Sequence, residues 1–242
     1  MTDWVQRPMA PLKGTRGTSE ETVMICHDPA CVFVHIPKTG GTSLERVFTG
    51  HDWITANPDD YEVYLAERDR YRSDWGGTLC EGDPGYFTRN LARKHASQAE
   101  LREEVGTSGW DALFKFTFVR NPWERLLSIY AHGLRDGAEQ MPSSFSEWIT
   151  LPEPKDHMGQ PVFRNLVDRW DELDFVGRFE RFGDDFAQLA SLLGLPDDVT
   201  LPHERHGSRG QHDLSLYDDQ AIAAVSERCA EEIDRFGYRF ES

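Results

Sequence analysis

The sequence has few cysteines, few basic residues and no long hydrophobic run. Its four cysteines form no C-x-x-C pair and have no close histidine at zinc-finger spacing, so we expect no metal site. Cys26 and Cys31 could in principle form a bridge, but a reducing compartment argues against one. No run approaches the roughly 20 apolar residues of a membrane span, and the N-terminus lacks the apolar stretch of a secretory signal. We therefore expect a soluble, cytoplasmic protein that does not bind membranes.

The shortage of basic residues limits the partners that this protein can bind. There are 26 Lys and Arg residues against 42 Asp and Glu residues, which gives a formal net charge of −16 at pH 7. Nucleic acid is an unsuitable partner, because binding to a phosphate backbone requires a basic face. The charge also repels a polyanionic glycan at long range and favours a neutral or weakly charged partner.

Nothing in the composition divides the chain into separate domains. Its 242 residues are 38% hydrophobic and 12% aromatic, which is enough for one sizeable core. The first 22 residues, which include Pro8 and Pro11, have the composition of a loose leader. The sequence predicts a flexible leader over residues 1–22 and a single domain over residues 23–242.

A lysine and two glycines follow an apolar run near the start of this domain. Residues 32–48 read VFVHIPKTGGTSLERVF, in which a β-prone segment breaks into a helix-like pattern. The glycine pair permits a tight turn, and the amides at a helix N-terminus bind anions, with the positive end of the helix dipole behind them. Lysine, threonine and serine side chains add further donors. The segment predicts a phosphate site formed by Lys38, Thr39, Gly40, Gly41, Thr42 and Ser43.

The order of these residues differs from that in nucleoside triphosphatases. Their loop reads G-x-x-x-x-G-K-[ST], with the lysine after the second glycine. Here Lys38 precedes both glycines. An ordinary turn between a strand and a helix is the alternative for so short a pattern.

An arginine stands at a second predicted strand-to-helix junction, about 80 residues later. Residues 113–119 are β-prone and lead directly into Arg120, Asn121 and Pro122. Asn121 suits the helix N-cap, Pro122 suits the first helical position, and Glu124 lies three residues after the cap as in a capping box. Arg120 then stands at the carboxyl end of a strand, where open α/β sheets bind ligands.

The two motifs together resemble those of sulfotransferases that use 3′-phosphoadenosine 5′-phosphosulfate (PAPS), particularly the type-2 branch that contains carbohydrate sulfotransferases. The resemblance covers roughly residues 30–240. It implies that the lysine loop holds the 5′-phosphosulfate, and that Arg120 and Ser128 hold the 3′-phosphate. Lys38 would stabilise charge on the departing oxygen. Without the resemblance, Arg120 could be an ordinary surface charge and Ser128 an ordinary helix hydroxyl.

A histidine is the candidate general base. His95 lies about 25 residues before Arg120, and a histidine at about this place is the base in type-2 members that sulfate sugar hydroxyls. Histidine suits the role, because its ordinary pKa of about 6.5 leaves it able to accept a proton. The alternative is a solvated histidine on a polar helix. Three late histidines match no familiar zinc arrangement: His203, His206 and His212.

Hydrophobic periodicity predicts an α/β fold, which the resemblance describes as a P-loop-like three-layer fold with a central parallel sheet flanked by helices. We expect strands over 32–36, 113–119 and 174–179. We expect helices after Gly41, over 92–104, from Pro122, from a Ser143 or Ser144 cap through Ile149, over 182–193 and over 222–236. Residues 50–85 fit no regular element and are expected to form part of an acceptor pocket or a lid.

These observations predict an enzyme that moves a sulfuryl group in line from PAPS to the hydroxyl of a sugar or small molecule, with a general base and no metal. A kinase or triphosphatase of the same general fold is one alternative. A nucleotide-binding module without turnover is another. The identity of the acceptor and the oligomeric state are left open by the sequence.

Overall fold

A four-stranded sheet forms the centre of the protein in the computed structural model, which describes residues 25–27, 29–48, 95–137, 141–197, 199–201 and 214–240. The strands are β1 (Ile25–His27), β2 (Ala30–Phe33), β3 (Phe114–Val119) and β4 (Phe175–Arg178). They lie side by side in the order β1-β2-β3-β4. Strands β2, β3 and β4 are parallel, and β1 pairs antiparallel with β2 at one edge. The predicted parallel sheet is therefore confirmed, with one antiparallel strand added.

Seven α-helices surround this sheet in the described part of the chain. They are α1 (Gly41–Phe48), α2 (Gln98–Ala112), α3 (Pro122–Gly137), α4 (Phe145–Ile149), α5 (Phe182–Leu193), α6 (Asp219–Arg228) and α7 (Ala230–Phe236).

Both faces of the sheet are covered, because successive side chains of a strand point to opposite faces. Val32 and Val34 belong to a core with α2, α3, α4 and α6 on one face. Phe33, Phe116 and Phe118 belong to a second core on the other face, with α1 and α5. The layers are therefore helices, sheet and helices, which confirms the predicted α/β class.

Two helices differ from their predicted bounds. The helix predicted over 92–104 begins at Gln98 and ends at Ala112, because the Ser97 hydroxyl and the Glu100 carboxylate form a capping box that fixes its start. His95 consequently lies in the turn before α2 and not on the helix. The single helix predicted over 222–236 is divided at Cys229, whose φ of −110° and ψ of 20° are not helical.

Other local predictions are confirmed. Ser144 caps α4 by accepting from the amide of Glu147, and Gly194 ends α5 in the left-handed conformation, with φ 67°. Cys31 and Cys229 are buried. Within the described ranges, no helix has the length and apolar character needed to cross a membrane.

Candidate functional site

The candidate site lies where the three parallel strands end. Because carboxyl ends of parallel strands meet at one edge, the turn after β2, the residue after β3 and the residues after β4 come together there. This edge holds Lys38, Arg120 and Phe179. The lysine and arginine motifs are 82 positions apart in the sequence, and a direct contact joins them: Arg120 Nη1 donates to the carbonyl oxygen of Lys38 at 3.4 Å.

The lysine loop has a backbone that few residues can adopt. Lys38 has a φ of +65°, and among the described residues it is the only non-glycine with a positive φ. Such a conformation costs of order 1–3 kcal/mol and persists where the surroundings impose it, as they often do at functional sites. Gly40 has a φ of +93°. The loop is thus held in a strained conformation that turns the chain sharply into α1.

The two glycines of the loop are required by close packing. A Cβ atom on Gly41 would lie 1.8 Å from Nε2 of His35, and one on Gly40 would lie 2.6 Å from the ring of Phe182. Residues with side chains at either position would displace the loop. His35, which lies just beyond β2, therefore supports the turn by packing against it.

The hydroxyl groups of the loop differ in what they can donate. Thr39 is fully buried, and its Oγ1 donates to the carbonyl of Ile36 at 2.8 Å. Its hydroxyl hydrogen is therefore already used, and Thr39 can donate to a ligand only through its backbone N–H. Ser43 is half-buried in the first turn of α1, where its N–H bonds to the carbonyl of Gly40. The side chain of Thr42 lies outside the described residues. The amides of Gly41 and Thr42, which precede that bond, have no acceptor within the helix, so the loop retains backbone donors of the kind that an anion requires.

Arg120 is a buried cation at the end of β3. Its side chain is 7% exposed, and its guanidinium lies 4.3 Å above the ring of Phe179. Nη2 donates to Glu124 at 3.1 Å, whereas Nε is buried and has no hydrogen-bond partner among the described residues. Burial lowers the pKa of Arg120, and Glu124 and Glu180 oppose this shift, but an arginine remains protonated in any case. A buried donor without a partner is costly, so this guanidinium is suited to receive an anion.

The helix that follows Arg120 is capped differently from the prediction. Asn121 is the N-cap, since its Oδ1 accepts from the amide of Trp123 at 3.1 Å. Glu124, however, does not complete a capping box: it pairs with Arg120, and the amide of Asn121 donates to Glu180 at 2.6 Å. That capping-box prediction was wrong because Glu180, from the turn after β4, accepts from the amide of Asn121 instead, and no local pattern could indicate this distant partner.

Two other polar residues of α3 are buried. Ser128 is 9% exposed, and no hydrogen bond joins it to Arg120 within the described residues. Arg125 is 4% exposed and donates to Glu232 of α7 at 3.3 Å. Burial opposes the charge of Arg125, but Glu232 outweighs this effect and raises the pKa of the guanidinium.

His95 lies beside the end of β2. Its Nδ1 is 3.1 Å from the carbonyl oxygen of His35, and the two imidazole rings have centroids 4.5 Å apart. A carbonyl oxygen can only accept, so Nδ1 of His95 carries the proton and the lone pair of the neutral ring is on Nε2. The fold thus sets both the position and the tautomer of the predicted base.

An arginine that the sequence did not single out braces this histidine. Arg164 Nη1 donates to the carbonyl of His95 at 3.4 Å, and its Nη2 bonds to Glu100 at 2.5 Å. Burial opposes ionisation of Glu100, but bonds from Ser97 and the charge of Arg164 hold the pKa of Glu100 below its ordinary value. Arg164 lies in an irregular segment without periodicity, so only its charge marked it in the sequence.

The late histidines His203, His206 and His212 lie outside the described residues. Among the residues that the structure does describe, no group of three or more His, Cys, Asp or Glu side chains could hold a metal ion.

Two curated proteins are similar to parts of this chain. An uncharacterized protein of Archaeoglobus fulgidus is 26% identical over 102 residues, which are 42% of this chain and 84% of that protein. Carbohydrate sulfotransferase 14 of Mus musculus is 30% identical over 146 residues, which are 49% of this chain and 39% of that protein. No solved structure gives a significant match.

The model of the Sulfotransferase family matches residues 21–239, a range that includes both strand-to-helix junctions and His95. Since this match extends over most of the sequence, the chain belongs to the sulfotransferase family.

Proposed function

We propose that this protein transfers the sulfuryl group of PAPS to an acceptor hydroxyl. The observation that carries the proposal is the contact between the two junctions. Arg120 donates to the backbone carbonyl of Lys38 and is buried with an Nε that has no partner among the described residues, so the lysine loop and a buried guanidinium lie together at one edge of the sheet. A nucleotide with a charged group at each end of its ribose is matched by a lysine loop and an arginine at one such edge.

The lysine loop fits the 5′-phosphosulfate. Its glycines bring the backbone close, its first helical amides are donors, and Lys38 adds a full positive charge. We assign to this end of the donor the residues Lys38, Thr39, Gly40, Gly41, Thr42 and Ser43.

The arginine junction fits the 3′-phosphate. A forked guanidinium can donate two hydrogen bonds to one phosphate, and the ring of Phe179 supports it from one side. Glu124 occupies one arm of the guanidinium, so a phosphate would bind beside this carboxylate or displace it. We assign Arg120 and Ser128 to this phosphate.

The chemistry divides between the same residues and His95. PAPS supplies an activated sulfuryl group attached to a phosphate leaving group. His95 Nε2 takes the proton of the acceptor hydroxyl, whose oxygen forms the new S–O bond as the bond to the phosphate oxygen breaks. Lys38 stabilises the negative charge that develops on this departing oxygen, and interactions that strengthen in the transition state are those that raise the rate.

The acceptor is a hydroxyl compound, either a sugar or a small molecule. The name of the mouse relative, carbohydrate sulfotransferase 14, supports a sugar hydroxyl. The single domain predicted over 23–242 and a cytoplasmic location stay predictions.

The test has two stages that use the full chain. Calorimetry should show that adenosine 3′,5′-bisphosphate, the product nucleotide, binds at least tenfold more tightly than adenosine 5′-phosphate. Transfer of radiolabelled sulfate from PAPS should then be measured over a panel of hydroxyl acceptors.

The two alternative functions give different results. Thermal stabilisation by ATP with magnesium, without stabilisation by adenosine 3′,5′-bisphosphate, would indicate a kinase or triphosphatase. Tight binding of the bisphosphate with no transfer to any acceptor would indicate a nucleotide-binding module.

A further inference from the structure

A cleft opens beside the lysine loop on the face of the sheet that carries α2 and α3. Ile36 and Pro37, directly before Lys38, form one wall together with His95. Residues from the irregular segment 156–167 also line the cleft, as do Arg125, Trp170 and Glu232. The cleft therefore contains the histidine assigned as the base and the two residues that directly precede the loop assigned to the phosphosulfate. An acceptor hydroxyl must reach this place if the proposed function is correct.

Two side-chain amides line this cleft and are available to a ligand. Gln160 and Asn165 make no side-chain hydrogen bond within the described part of the chain, and both are at least partly exposed. Each amide can donate two hydrogen bonds and accept others through its oxygen. They are therefore suited to a ligand that itself both donates and accepts, as a hydroxyl group does.

A buried group in the cleft is also incompletely paired. The side chain of Arg125 is 5% exposed and its Nη2 bonds to Glu232, but its Nε is buried with no hydrogen-bond partner among the described residues. An arginine donor beside a carboxylate acceptor can bind neighbouring hydroxyls of one molecule. This pair is charge-neutral as a unit, so it does not by itself attract an anion.

The charges of the cleft disfavour an anionic acceptor. Each arginine that lines it is already paired with a carboxylate, Arg125 with Glu232 and Arg164 with Glu100. Asp156 adds a further carboxylate, whose Oδ1 accepts from the amides of Met158 and Gln160. The lining thus has no surplus of arginine charge over carboxylate charge, and the net charge of −16 repels anions at longer range.

We infer that this cleft binds the acceptor, and that the acceptor is a neutral polyhydroxylated compound, such as an uncharged sugar or cyclitol, and not an acidic glycan. The inference rests on the proposed function and adds to it the place and the chemical class of the acceptor. Amides, a carboxylate and a paired arginine match the hydroxyls, while Ile36, Pro37 and Trp170 offer apolar surface to the carbon skeleton.

The test compares neutral acceptors with matched acids. A panel of methyl hexosides and inositol, each hexoside paired with its methyl uronoside, is offered with radiolabelled PAPS to the full chain. The neutral members should take sulfate with kcat/KM at least tenfold above that of the uronosides. Preference for the uronosides would overturn the inference, and so would binding of adenosine 3′,5′-bisphosphate without transfer to any neutral member.

Variants locate the acceptor in the cleft. Gln160→Ala and Asn165→Ala should each raise the KM for the best neutral acceptor roughly threefold to tenfold, as expected for one lost hydrogen bond, with an unchanged Kd for adenosine 3′,5′-bisphosphate. Gln188→Ala is the matched control, because this exposed amide lies on α5 against the other face of the sheet. An unchanged KM in both cleft variants would overturn the assignment of the cleft. If the unmodified protein does not bind adenosine 3′,5′-bisphosphate more tightly than adenosine 5′-phosphate, the proposed function itself is overturned.

Discussion

The two strand-to-helix junctions have the same topology but present different groups to a ligand. After β2, the chain has two glycines, which pack against His35 and Phe182, and Lys38 has a left-handed backbone conformation. After β3, the chain has instead the large side chain of Arg120, which is buried over the ring of Phe179. The first junction offers backbone amides, and the second offers a guanidinium.

This difference suits the two tasks that the proposed function requires. In that proposal, backbone amides and a lysine surround the group whose bonds change during reaction, where donors that need no rearrangement are most effective. The buried, forked guanidinium is proposed to recognise the phosphate that does not react, where geometric specificity matters more. The comparison therefore predicts that changes at the first junction affect turnover and that changes at the second affect nucleotide affinity.

The largest effect is expected from the base beside the first junction. His95→Ala should lower kcat roughly a hundredfold to ten-thousandfold, the usual contribution of general base catalysis. His95→Asn is the control, since its amide can still donate to the carbonyl of His35 while it cannot act as a base. Sulfate transfer at saturating PAPS measures both variants. Wild-type turnover in His95→Asn would show that this residue is only structural.

Lys38 is expected to give the next largest effect. Lys38→Ala should lower kcat about a hundredfold to a thousandfold, comparable to the loss of one transition-state donor, and should weaken binding of adenosine 3′,5′-bisphosphate far less. Lys38→Gly separates charge from backbone strain, because glycine adopts a φ of +65° without cost. Both variants should be equally slow. Restored turnover in the glycine variant would mean that strain, and not charge, explains the loss.

At the second junction the effect should be on binding. Arg120→Ala should reduce the preference for adenosine 3′,5′-bisphosphate over adenosine 5′-phosphate roughly tenfold to a hundredfold, because charge-assisted hydrogen bonds contribute about 1.5–3 kcal/mol. Calorimetry with both nucleotides measures this preference. Arg181→Ala is the control, since this arginine follows Phe179 by two residues but has a largely exposed side chain. An equal loss of affinity for both nucleotides would contradict the assignment of Arg120 to the 3′-phosphate.

The packing of the first junction can be tested through stability. Gly41→Ala places a Cβ against His35 and should lower the free energy of unfolding by roughly 1–3 kcal/mol, with weaker binding of the bisphosphate. Gly183→Ala, in α5 with open space around it, should be neutral or raise that free energy by up to about 1 kcal/mol. Urea denaturation measures both. If Gly41→Ala were as stable as Gly183→Ala, the close packing would not constrain the loop.

The smallest effect is expected from Arg164, which donates to the backbone carbonyl of His95. Arg164→Ala should lower kcat about fivefold, the value of about 1 kcal/mol for one hydrogen bond, and leave the Kd of adenosine 3′,5′-bisphosphate unchanged. If Arg164 positions His95, the same substitution should have no further effect on kcat in a His95→Asn background. Additive losses in the double variant would contradict a positioning role.

Local patterns predicted those parts of the fold whose causes are local. The β-prone run before Arg120, the Asn121 N-cap and the helix over 182–193 depend on neighbouring residues, and the structure has each of them. The start of α2 was misplaced, although its cause, the capping box of Ser97 and Glu100, is also local. The division of the last helix at Cys229 was missed because its apolar spacing continues through the break.

The sequence by itself determined the α/β class and the two junctions, and it predicted which residues there are suited to an anion, because glycine geometry, helix amides and fixed charges are properties of short segments. Tertiary structure decided what these residues contact. The partners come from far along the chain: Glu180 reaches Asn121, Arg164 braces His95, and Glu232 pairs with Arg125. Such contacts depend on how strands and helices pack, and no periodicity within one segment encodes them.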